Sequence, residues 1–491
     1  MMRRIKQTSD KTGFAPRAEM AATAIILTGL LFTGMTLHGN TPTQVARYAA
    51  YGVGISLALS SFVDARSGGF RNLIRADLIA MYALYFLTLF EFFFPQDNFD
   101  FMIGTETTCV AVVACLWGFA GIAVGRHLSN IRKHPFEELF YRPIPNRWLM
   151  ALLGGCFFLG FVNMLMAVDF NPAKLVYYFM QPRFSQPWGR GKFGDWRALL
   201  NEFEMLLYLI PPIAGIVLAR HRNFKAAHKL FTFGCFFFVL FFGFSGGTRN
   251  VLASYLVTFL ISYSFAVGNK RRLGMIVLTC VCAVVLLVST VLMLEFRQIG
   301  LSNYIAGRYI NISKTREQSL FIDYNLYAIC RLTEVFPKTH PYLGAEIPFL
   351  AAIRPIPRAL WPGKPEGISL SIEEAMGVED LTIAASFVGE AYMSGGLFAV
   401  FLTGLFFGYV TGWWGHFASP RNSDLGILIY ASGFFATVIS MRSLFVFTTA
   451  ILPTIASFIF GSWLLGRLRE RRGQGDWQNA RKADPQGTNL P

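Results

Sequence analysis

The feature that most constrains this chain is a succession of apolar segments, each about 20 residues long. A helix of that length crosses the hydrocarbon core of a bilayer, where it satisfies its own backbone groups. Charged residues make up only 15% of the chain, against about 25% in soluble domains. The sequence therefore predicts an all-α polytopic membrane protein with about 12 transmembrane helices and argues against a soluble enzyme. The expected spans lie near 19–38, 45–62, 76–94, 109–126, 148–168, 200–219, 229–245, 251–267, 273–294, 387–413, 425–440 and 448–466.

The charges of the loops predict the orientation. Loops rich in Lys and Arg alternate along the chain with other loops, and short basic loops stay in the cytoplasm. Both termini are therefore expected on the cytoplasmic side of a bacterial inner membrane, and the net charge of +15 reflects these loops rather than nucleic-acid binding. The expected parts are a cytoplasmic segment at 1–18, transmembrane helices 1–9 at 19–294 with a short arginine-rich periplasmic loop at 169–199, a long periplasmic loop at 295–386, transmembrane helices 10–12 at 387–466 and a basic cytoplasmic tail at 467–491.

The seven cysteines predict neither a metal site nor a disulfide. Six of them lie inside apolar segments, where Cys behaves as a small hydrophobe, and Cys330 is alone in the long loop. No Cys-x-x-Cys pair and no Cys/His cluster occurs in the sequence. We therefore expect no metal and no other cofactor.

Several cations fall where the topology signal disfavours them, on the expected outer side. They comprise two in the short loop, four in the long loop and one at the outer end of each of two helical hairpins. Arginine suits phosphate groups because its planar fork binds oxygens bidentately and stays charged. We therefore interpret these cations as phosphate-binding residues. The alternative is that they have no binding role, because long loops cross the membrane largely regardless of their charge. These residues are Arg183, Arg190, Arg297, Arg354, Arg358, Lys364, Arg249 and Arg442.

The stretch from Arg354 to Arg358 carries the strongest of these signals. Two prolines predict an extended backbone, which would place the two arginines roughly 12 Å apart. Trp361 and Lys364 follow, a combination typical of the membrane interface. The alternative is a structural loop that lies on the lipid headgroups.

Three motifs give the chain a resemblance to a known family. They are Gly246-Gly247-Thr248-Arg249-Asn250 at a hairpin, Pro355-Ile356-Pro357-Arg358-Ala359-Leu360-Trp361-Pro362-Gly363-Lys364-Pro365 in the long loop, and Gly389-Glu390-Ala391-Tyr392-Met393-Ser394-Gly395-Gly396 at the next span. In this order they resemble the O-antigen polymerases and the wider oligosaccharide repeat-unit polymerases. That family also has an arginine followed ten or eleven positions later by glycine in its third and fifth periplasmic loops. Arg183 with Gly194 and Arg297 with Gly307 match that spacing.

The resemblance implies a GT-C-like fold and metal-independent glycosyl transfer on undecaprenyl-pyrophosphate-linked oligosaccharides. A hydroxyl of one lipid-linked repeat unit would attack the anomeric carbon of the growing chain, and fixed guanidinium groups would stabilise the departing pyrophosphate. Membrane lipids, a chain-length regulator and a flippase are the implied partners. The expected catalytic residues are His340, Glu390, Arg249 and Arg358, and the expected substrate-binding residues are Arg183, Arg190, Arg297, Arg354, Lys364, Tyr392 and Arg442.

The general base has several candidates on the outer side. His340 is favoured because imidazole titrates near neutrality, although a lone loop histidine is often incidental. Glu390 begins a span, where the helix dipole alone favours an acid, and Tyr392 could be a packing residue. The other candidates are Glu346, Glu334, Asp195 and Glu202.

Three rival functions remain open. An O-antigen ligase would use the same donor with a lipid A core acceptor, but the ligases carry Ser-Arg-Gly where this chain has Thr248-Arg249-Asn250. A transporter or flippase for lipid-linked oligosaccharides should bury paired charges at the bilayer midplane and contain broken helices. A membrane scaffold would leave the outer arginines without a role.

Overall fold

The computed structural model describes residues 18–94, 96–129, 137–182, 185–188, 200–267, 272–296, 299–307, 325–356, 360–365, 368–372, 374, 384–419 and 422–483. Within these ranges the secondary structure is helical, and no strand occurs. Eight of the described helices are long and apolar enough to cross a membrane, and the helices Met20–Met35, Ala76–Thr88 and Asp424–Ile439 are apolar but shorter. A helix lies at every position where a span was predicted. The chain is therefore a helical, membrane-embedded protein, while a total of about 12 crossings stays a prediction.

The described helices fall in chain order as follows. The first eight are α1 (Met20–Met35), α2 (Pro42–Gly68), α3 (Ala76–Thr88), α4 (Asp97–Met102), α5 (Thr105–Gly125), α6 (Glu137–Tyr141), α7 (Asn146–Ala167) and α8 (Pro172–Phe179). The remainder are α9 (Ile210–Ala219), α10 (Ala226–Ser245), α11 (Arg249–Val267), α12 (Arg272–Phe296), α13 (Leu301–Ile305), α14 (Asn325–Val335), α15 (Glu346–Ile353), α16 (Ser386–Gly415), α17 (Asp424–Ile439), α18 (Leu444–Ala450) and α19 (Leu452–Ala483). A 3-10 helix, Phe203–Leu209, leads directly into α9.

The helices form two hydrophobic cores. The first core is built from α1, α2, α3, α5, α14 and the beginning of α16, and the second from α7, α9, α10, α11, α17 and α19. Trp414 at the end of α16 joins them, because its indole N–H donates to the Tyr430 carbonyl of α17 at 3.0 Å and the two rings stack. The two halves therefore share a seam along α16 and α17.

Local sequence explains where several helices begin. Thr41 accepts from the Gln44 N–H and is followed by Pro42, which already has a helical φ angle. Asn171 caps α8 and Ser423 caps α17 in the same way. Ser443 caps α18 by accepting from the Phe445 N–H at 3.2 Å.

A glycine contact brings α5 and α16 unusually close. A Cβ atom on Gly404 would lie 2.7 Å from the Gly118 carbonyl oxygen, and one on Gly412 would lie 2.5 Å from the Arg126 carbonyl oxygen. Gly121, Gly125 and Gly408 face the same interface. In lipid, helices associate by close packing of small residues of this kind. This contact fixes the depth of α16 relative to the first core.

Helix α16 is broken near its beginning by Gly395 and Gly396. Gly396 has φ +64°, a left-handed value that only glycine adopts without strain, so the helical hydrogen bonding is interrupted there. The carbonyls of Met393 and Ser394 accept instead from the N–H groups of Leu343 and Gly344, at 2.9 and 2.8 Å. The break therefore creates the docking point for residues 343–344 of the long loop.

The long segment 295–386 is partly helical rather than a simple loop. Its helix α14 is buried in the first core, and the side chains of Leu326, Ile329 and Cys330 are fully inaccessible. Cys330 was expected alone in a loop, but it lies on the buried face of α14, a helix that packs against α5 and α16. The described part of this segment thereby covers one end of the helical bundle.

The opposite end of the bundle contains a buried ionic network. Arg75 donates to Asp64 at 2.7 Å and to Asp77 at 3.0 and 3.1 Å, and Arg126 donates to Asp77 at 3.2 Å and to Thr23. The four charged side chains are at most 4% exposed. Arg75 and Arg126 thus differ from the solvated loop cations that the charge pattern predicts, because two carboxylates neutralise them inside the protein. The network joins α1, α2, α3 and α5.

Candidate functional site

Arg354 occupies the C-terminal cap of α15, and its φ and ψ angles of −50° and −43° are helical. The expectation of an extended backbone is therefore wrong at Arg354, where the apolar helix α15 continues into a turn closed by the Ile356 N–H and the Ile353 carbonyl. Lys364 stabilises this turn by donating to the carbonyls of Arg354 and Ile356, both at 2.9 Å. Lys364 thus satisfies carbonyls that the helix end leaves without helical partners. The Arg354 side chain itself is exposed.

Glu390 lies in the second turn of α16 and is only 4% exposed. Its two carboxylate oxygens accept from the Ser443 hydroxyl and the Leu444 N–H, both at 2.5 Å. Arg354 lies within electrostatic range of the carboxylate, and its guanidinium also sits 5.8 Å from the centre of the Phe445 ring. Because both oxygens are occupied, we interpret Glu390 as a residue that positions the start of α18 and Arg354, rather than as a general base.

Tyr392 and His340 belong to one aromatic group at the break in α16. The Tyr342 ring lies 6.1 Å from the Tyr392 ring and stacks with Phe336, and Phe336 in turn lies 5.4 Å from the His340 ring. A Cβ atom on Gly396 would meet the Tyr342 hydroxyl at 2.7 Å. The glycine break and the long loop therefore bring these side chains together.

The tautomer of the neutral His340 ring follows from its hydrogen bond. Its Nδ1 lies 2.8 Å from the Pro341 carbonyl oxygen, which can only accept, so Nδ1 carries the proton. In the neutral ring Nε2 is then the basic nitrogen. His340 is partly exposed, so a substrate hydroxyl could reach that atom.

Arg442 occupies the turn between α17 and α18, directly before Ser443. Tyr208 lies within electrostatic range of both Arg442 and Glu204. The Tyr208 ring stacks on Phe435 of α17, with 4.2 Å between ring centres. Arg442 is therefore held where the two cores meet, next to the hydrogen-bonded pair formed by Glu390 and Ser443.

Arg249 begins α11 and lies at the same end of the bundle. Tyr255, further along α11, has its ring 4.9 Å from the Tyr208 ring. Arg249 precedes Tyr255 by six positions, about 9 Å along the helix axis. Its side chain is half-buried.

Four of the predicted site residues lie outside the described residues. They are Arg183, Arg190, Arg297 and Arg358. Their roles in substrate binding and catalysis therefore stay predictions.

The structure adds residues that sequence reasoning missed. Ser443 holds Glu390, Phe445 lies under Arg354, and Tyr208 lies within electrostatic range of both Arg442 and Glu204. Ser443 had a local signal, since a serine before an apolar helix is a common N-cap. Tyr208 and Glu204 had none, because they lie far from Arg442 in sequence.

Other candidate bases are also engaged. Glu346 accepts from the backbone N–H and the hydroxyl of Ser369, and Glu334 pairs with Arg331 at 2.9 Å. Asp195 lies outside the described residues. In the described part of the chain, no three His, Cys, Asp or Glu residues are grouped so that they could hold a metal ion.

Comparison with protein-family models gives a match in the C-terminal half of the chain. A family model described as domain of unknown function DUF8712 matches residues 315–465. This region contains Arg354, Lys364, Glu390, Tyr392 and Arg442, but the family description assigns no activity. No curated protein matches the chain, and no solved structure matches it.

Proposed function

We propose that this protein polymerises undecaprenyl-pyrophosphate-linked oligosaccharide repeat units at the outer face of a bacterial inner membrane. The observation that carries the proposal is the arrangement at the Ser440–Leu444 turn. Glu390 binds Ser443 and Leu444 of that turn and faces Arg354, while Arg442 extends from the same turn. Two cations from distant parts of the sequence are thereby associated with one buried carboxylate, Arg354 within its electrostatic range and Arg442 in the turn that it binds.

This arrangement suits a diphosphate leaving group. A guanidinium that is fixed before the reaction stabilises developing negative charge without the energetic cost of reorienting in the transition state. Arg354 is exposed and Arg442 is half-buried, so both can reach an anion at the edge of the bundle. Arg249 at the same end supplies a further candidate contact.

The remaining groups have roles in the proposed transfer. The acceptor hydroxyl attacks the anomeric carbon, the glycosidic bond forms, and the bond from that carbon to the pyrophosphate oxygen breaks. The hydroxyl proton passes to His340 Nε2, the basic nitrogen of that ring. Tyr342, which is exposed and packs edge to face on the buried Tyr392 ring, presents aromatic surface in the same group of rings, which is suited to sugar rings.

The direct test uses purified protein in liposomes with lipid-linked repeat units. A ladder of polymer on the lipid carrier is the expected product. Transfer of repeat units to an added lipid A core acceptor, without a ladder, would instead assign a ligase. Absence of any new glycosidic bond in the presence of both acceptors would overturn the proposal.

Matched variants test the site itself. Arg354→Ala should reduce polymer by about ten- to hundredfold, as expected for loss of a charged hydrogen bond. Arg331→Ala is the control, because it removes a cation from the same segment that is paired with Glu334. Arg354→Lys should restore activity only in part, since a point charge lacks the bidentate fork. Equal loss in both alanine variants would remove Arg354 from the site.

The orientation needs its own measurement. A single cysteine at Gly363 should react with a membrane-impermeant thiol reagent added to the periplasmic side, and one at Gly475 should not. Both positions lie in segments whose sides the loop charges predict. Labelling of Gly475 alone would place the proposed site in the cytoplasm and contradict the function.

A transporter of lipid-linked oligosaccharides is the second candidate. The break at Gly395 and Gly396 favours it, because broken helices line substrate sites in many transporters. The buried charges argue against transport, because Asp64, Asp77 and Arg126 are grouped at the ends of their helices and not halfway along them. Movement of labelled lipid-linked substrate across liposomes without bond formation would support transport.

A further inference from the structure

Helix α15 is apolar on all of its sides. Its one charged residue is Glu346 at the first position, and that carboxylate already accepts from the backbone N–H and the hydroxyl of Ser369. A helix that is apolar all round is normally enclosed by protein or by lipid. With eight residues, α15 is about 12 Å long and too short to cross a bilayer. Its surroundings therefore follow from its position in the fold.

The protein encloses only one side of α15. Ile347 and Leu350 on that side are at most 8% exposed. On the opposite side the Phe349 ring is 49% exposed, and in the turns that follow the helix Ile356 is 39% and Leu360 is 78% exposed. Large apolar side chains thus form the outer surface of this part of the long segment.

Helix α15 packs against two candidate membrane spans. Its neighbours are α16 and α18, and these belong to the spans Ser386–Gly415 and Leu444–Leu468. Arg354 directly follows α15, and its guanidinium lies 5.8 Å from the centre of the ring of Phe445, the second residue of the latter span. The C-terminal end of α15 is therefore held beside the first turn of a membrane helix.

The N-terminal end of α15 is held at a similar place on α16. The N–H of Gly344, two positions before α15, donates to the Ser394 carbonyl at 2.8 Å. Phe398, four positions further along α16, is 69% exposed on a helix that is apolar enough to span a membrane. Both ends of α15 thus lie within a few residues of apolar side chains that belong to membrane helices.

We propose that α15 lies in the interface of the adjacent lipid leaflet, with Phe349, Ile356 and Leu360 inserted among the acyl chains. A short helix with an exposed apolar face binds the boundary between headgroups and acyl chains through that face. Trp361 follows directly, and tryptophan is enriched at headgroup depth. This placement holds Arg354, at the end of α15, at the level of the lipid phosphates.

Lipid fits this surface better than a second copy of the chain does. The exposed side of α15 is about 12 Å long and about 10 Å wide, which gives an area on the order of 100–200 Å². A stable protein interface covers about 800 Å² on each partner. Lipid has no such requirement, because acyl chains already surround the neighbouring membrane spans.

The test places the photoreactive residue p-benzoylphenylalanine at Phe349 in the full chain. Cell membranes are irradiated, and the protein is purified and weighed by mass spectrometry. We expect an increase by the mass of one phospholipid, and the same result with the photoreactive residue at Leu360. Phe398, exposed on a candidate span, is the positive control. Lys338, exposed and charged in the turn after α14, is the negative control and should give no lipid adduct.

The natural protein gives a second measurement that needs no substitution. A phosphatidylcholine with a diazirine next to its glycerol should label the peptide that contains residues 346–356. This readout does not require polymer synthesis, so it tests the position of α15 separately from the proposed function.

Each of the other outcomes would overturn the proposal. Lipid adducts at Phe398 but at neither Phe349 nor Leu360 would place α15 in water. A product of twice the protein mass would assign the surface to a second copy, and a product with a different protein would assign it to a protein partner. Equal lipid labelling at Lys338 and Phe349 would show that the adducts do not report insertion.

Discussion

Asp77 offers a sharp test of how the first core is held together. Its carboxylate accepts three hydrogen bonds, two from Arg75 at 3.0 and 3.1 Å and one from Arg126 at 3.2 Å. The substitution Asp77→Asn keeps the shape of the side chain but removes the charge. The buried group formed by Asp64, Asp77, Arg75 and Arg126 then changes from neutral to a net charge of about +1.

The size of the effect on the free energy of unfolding depends on the hydrogen bonds that Arg75 and Arg126 keep in the variant. A hydrogen bond to a charged group contributes about 1.5–3 kcal/mol, which would sum to well over 5 kcal/mol for three of them. Arg75 keeps Asp64 at 2.7 Å and Arg126 keeps Thr23, so the loss is smaller than that sum. We expect Asp77→Asn to lower the free energy of unfolding by about 3–5 kcal/mol, the range for one partner removed from a buried ion pair.

Thermal unfolding in detergent, followed by tryptophan fluorescence and by size-exclusion recovery, measures this effect. We expect the Tm to fall by roughly 5–10 °C. Asp169→Asn is the matched control, because Asp169 is exposed and lies 3.9 Å from Lys174 at the surface, where an ion pair contributes little. The double variant Asp77→Asn with Arg126→Met should recover part of the loss, since it removes the uncompensated cation. An unchanged Tm in Asp77→Asn, or a further fall in the double variant, would refute the reasoning.

Three further predictions concern the helix contact, the site and its chemistry. Gly404→Val should separate α5 and α16, because a Cβ atom at Gly404 would lie 2.7 Å from a backbone carbonyl oxygen. We expect this variant to lose the monodisperse size-exclusion peak. Gly155→Val is the control and should keep the peak, because a Cβ atom at Gly155 meets nothing within 4 Å. Ser443→Ala should lower polymer synthesis about tenfold, because it removes both the cap of α18 and one hydrogen-bond donor to Glu390. Ser443→Thr should restore polymer synthesis. An alanine variant as active as the natural protein would contradict the positioning role of Ser443. Polymer synthesis should continue in EDTA, and strict dependence on a divalent ion would indicate a carboxylate site that includes residues 373–380.

The helices of this protein were predictable because their signal is local. An apolar run of about 20 residues predicts a membrane helix wherever it occurs, and helices lie at all the predicted positions. The cations were also visible in the sequence, because Arg354 and Arg442 stand out against the charge pattern of the loops. The prediction of an extended backbone at Arg354 was wrong because it considered only the neighbouring prolines. The apolar residues before Arg354 form α15, which packs onto the protein and extends the helix to residue 353.

The pairing of these residues was decided only by the tertiary structure. Glu390 and Ser443 are 53 positions apart, and Arg126 and Thr23 are 103 apart, so no spacing within either segment predicts their contact. The same holds for the carbonyls of Met393 and Ser394, which became acceptors for the long loop only because two glycines interrupt α16. The sequence by itself determined which segments form apolar helices of membrane-spanning length, because apolar length is a property of each segment alone. The tertiary structure decided which charges are neutralised and which remain exposed, because that depends on the neighbours that each side chain meets when the helices pack.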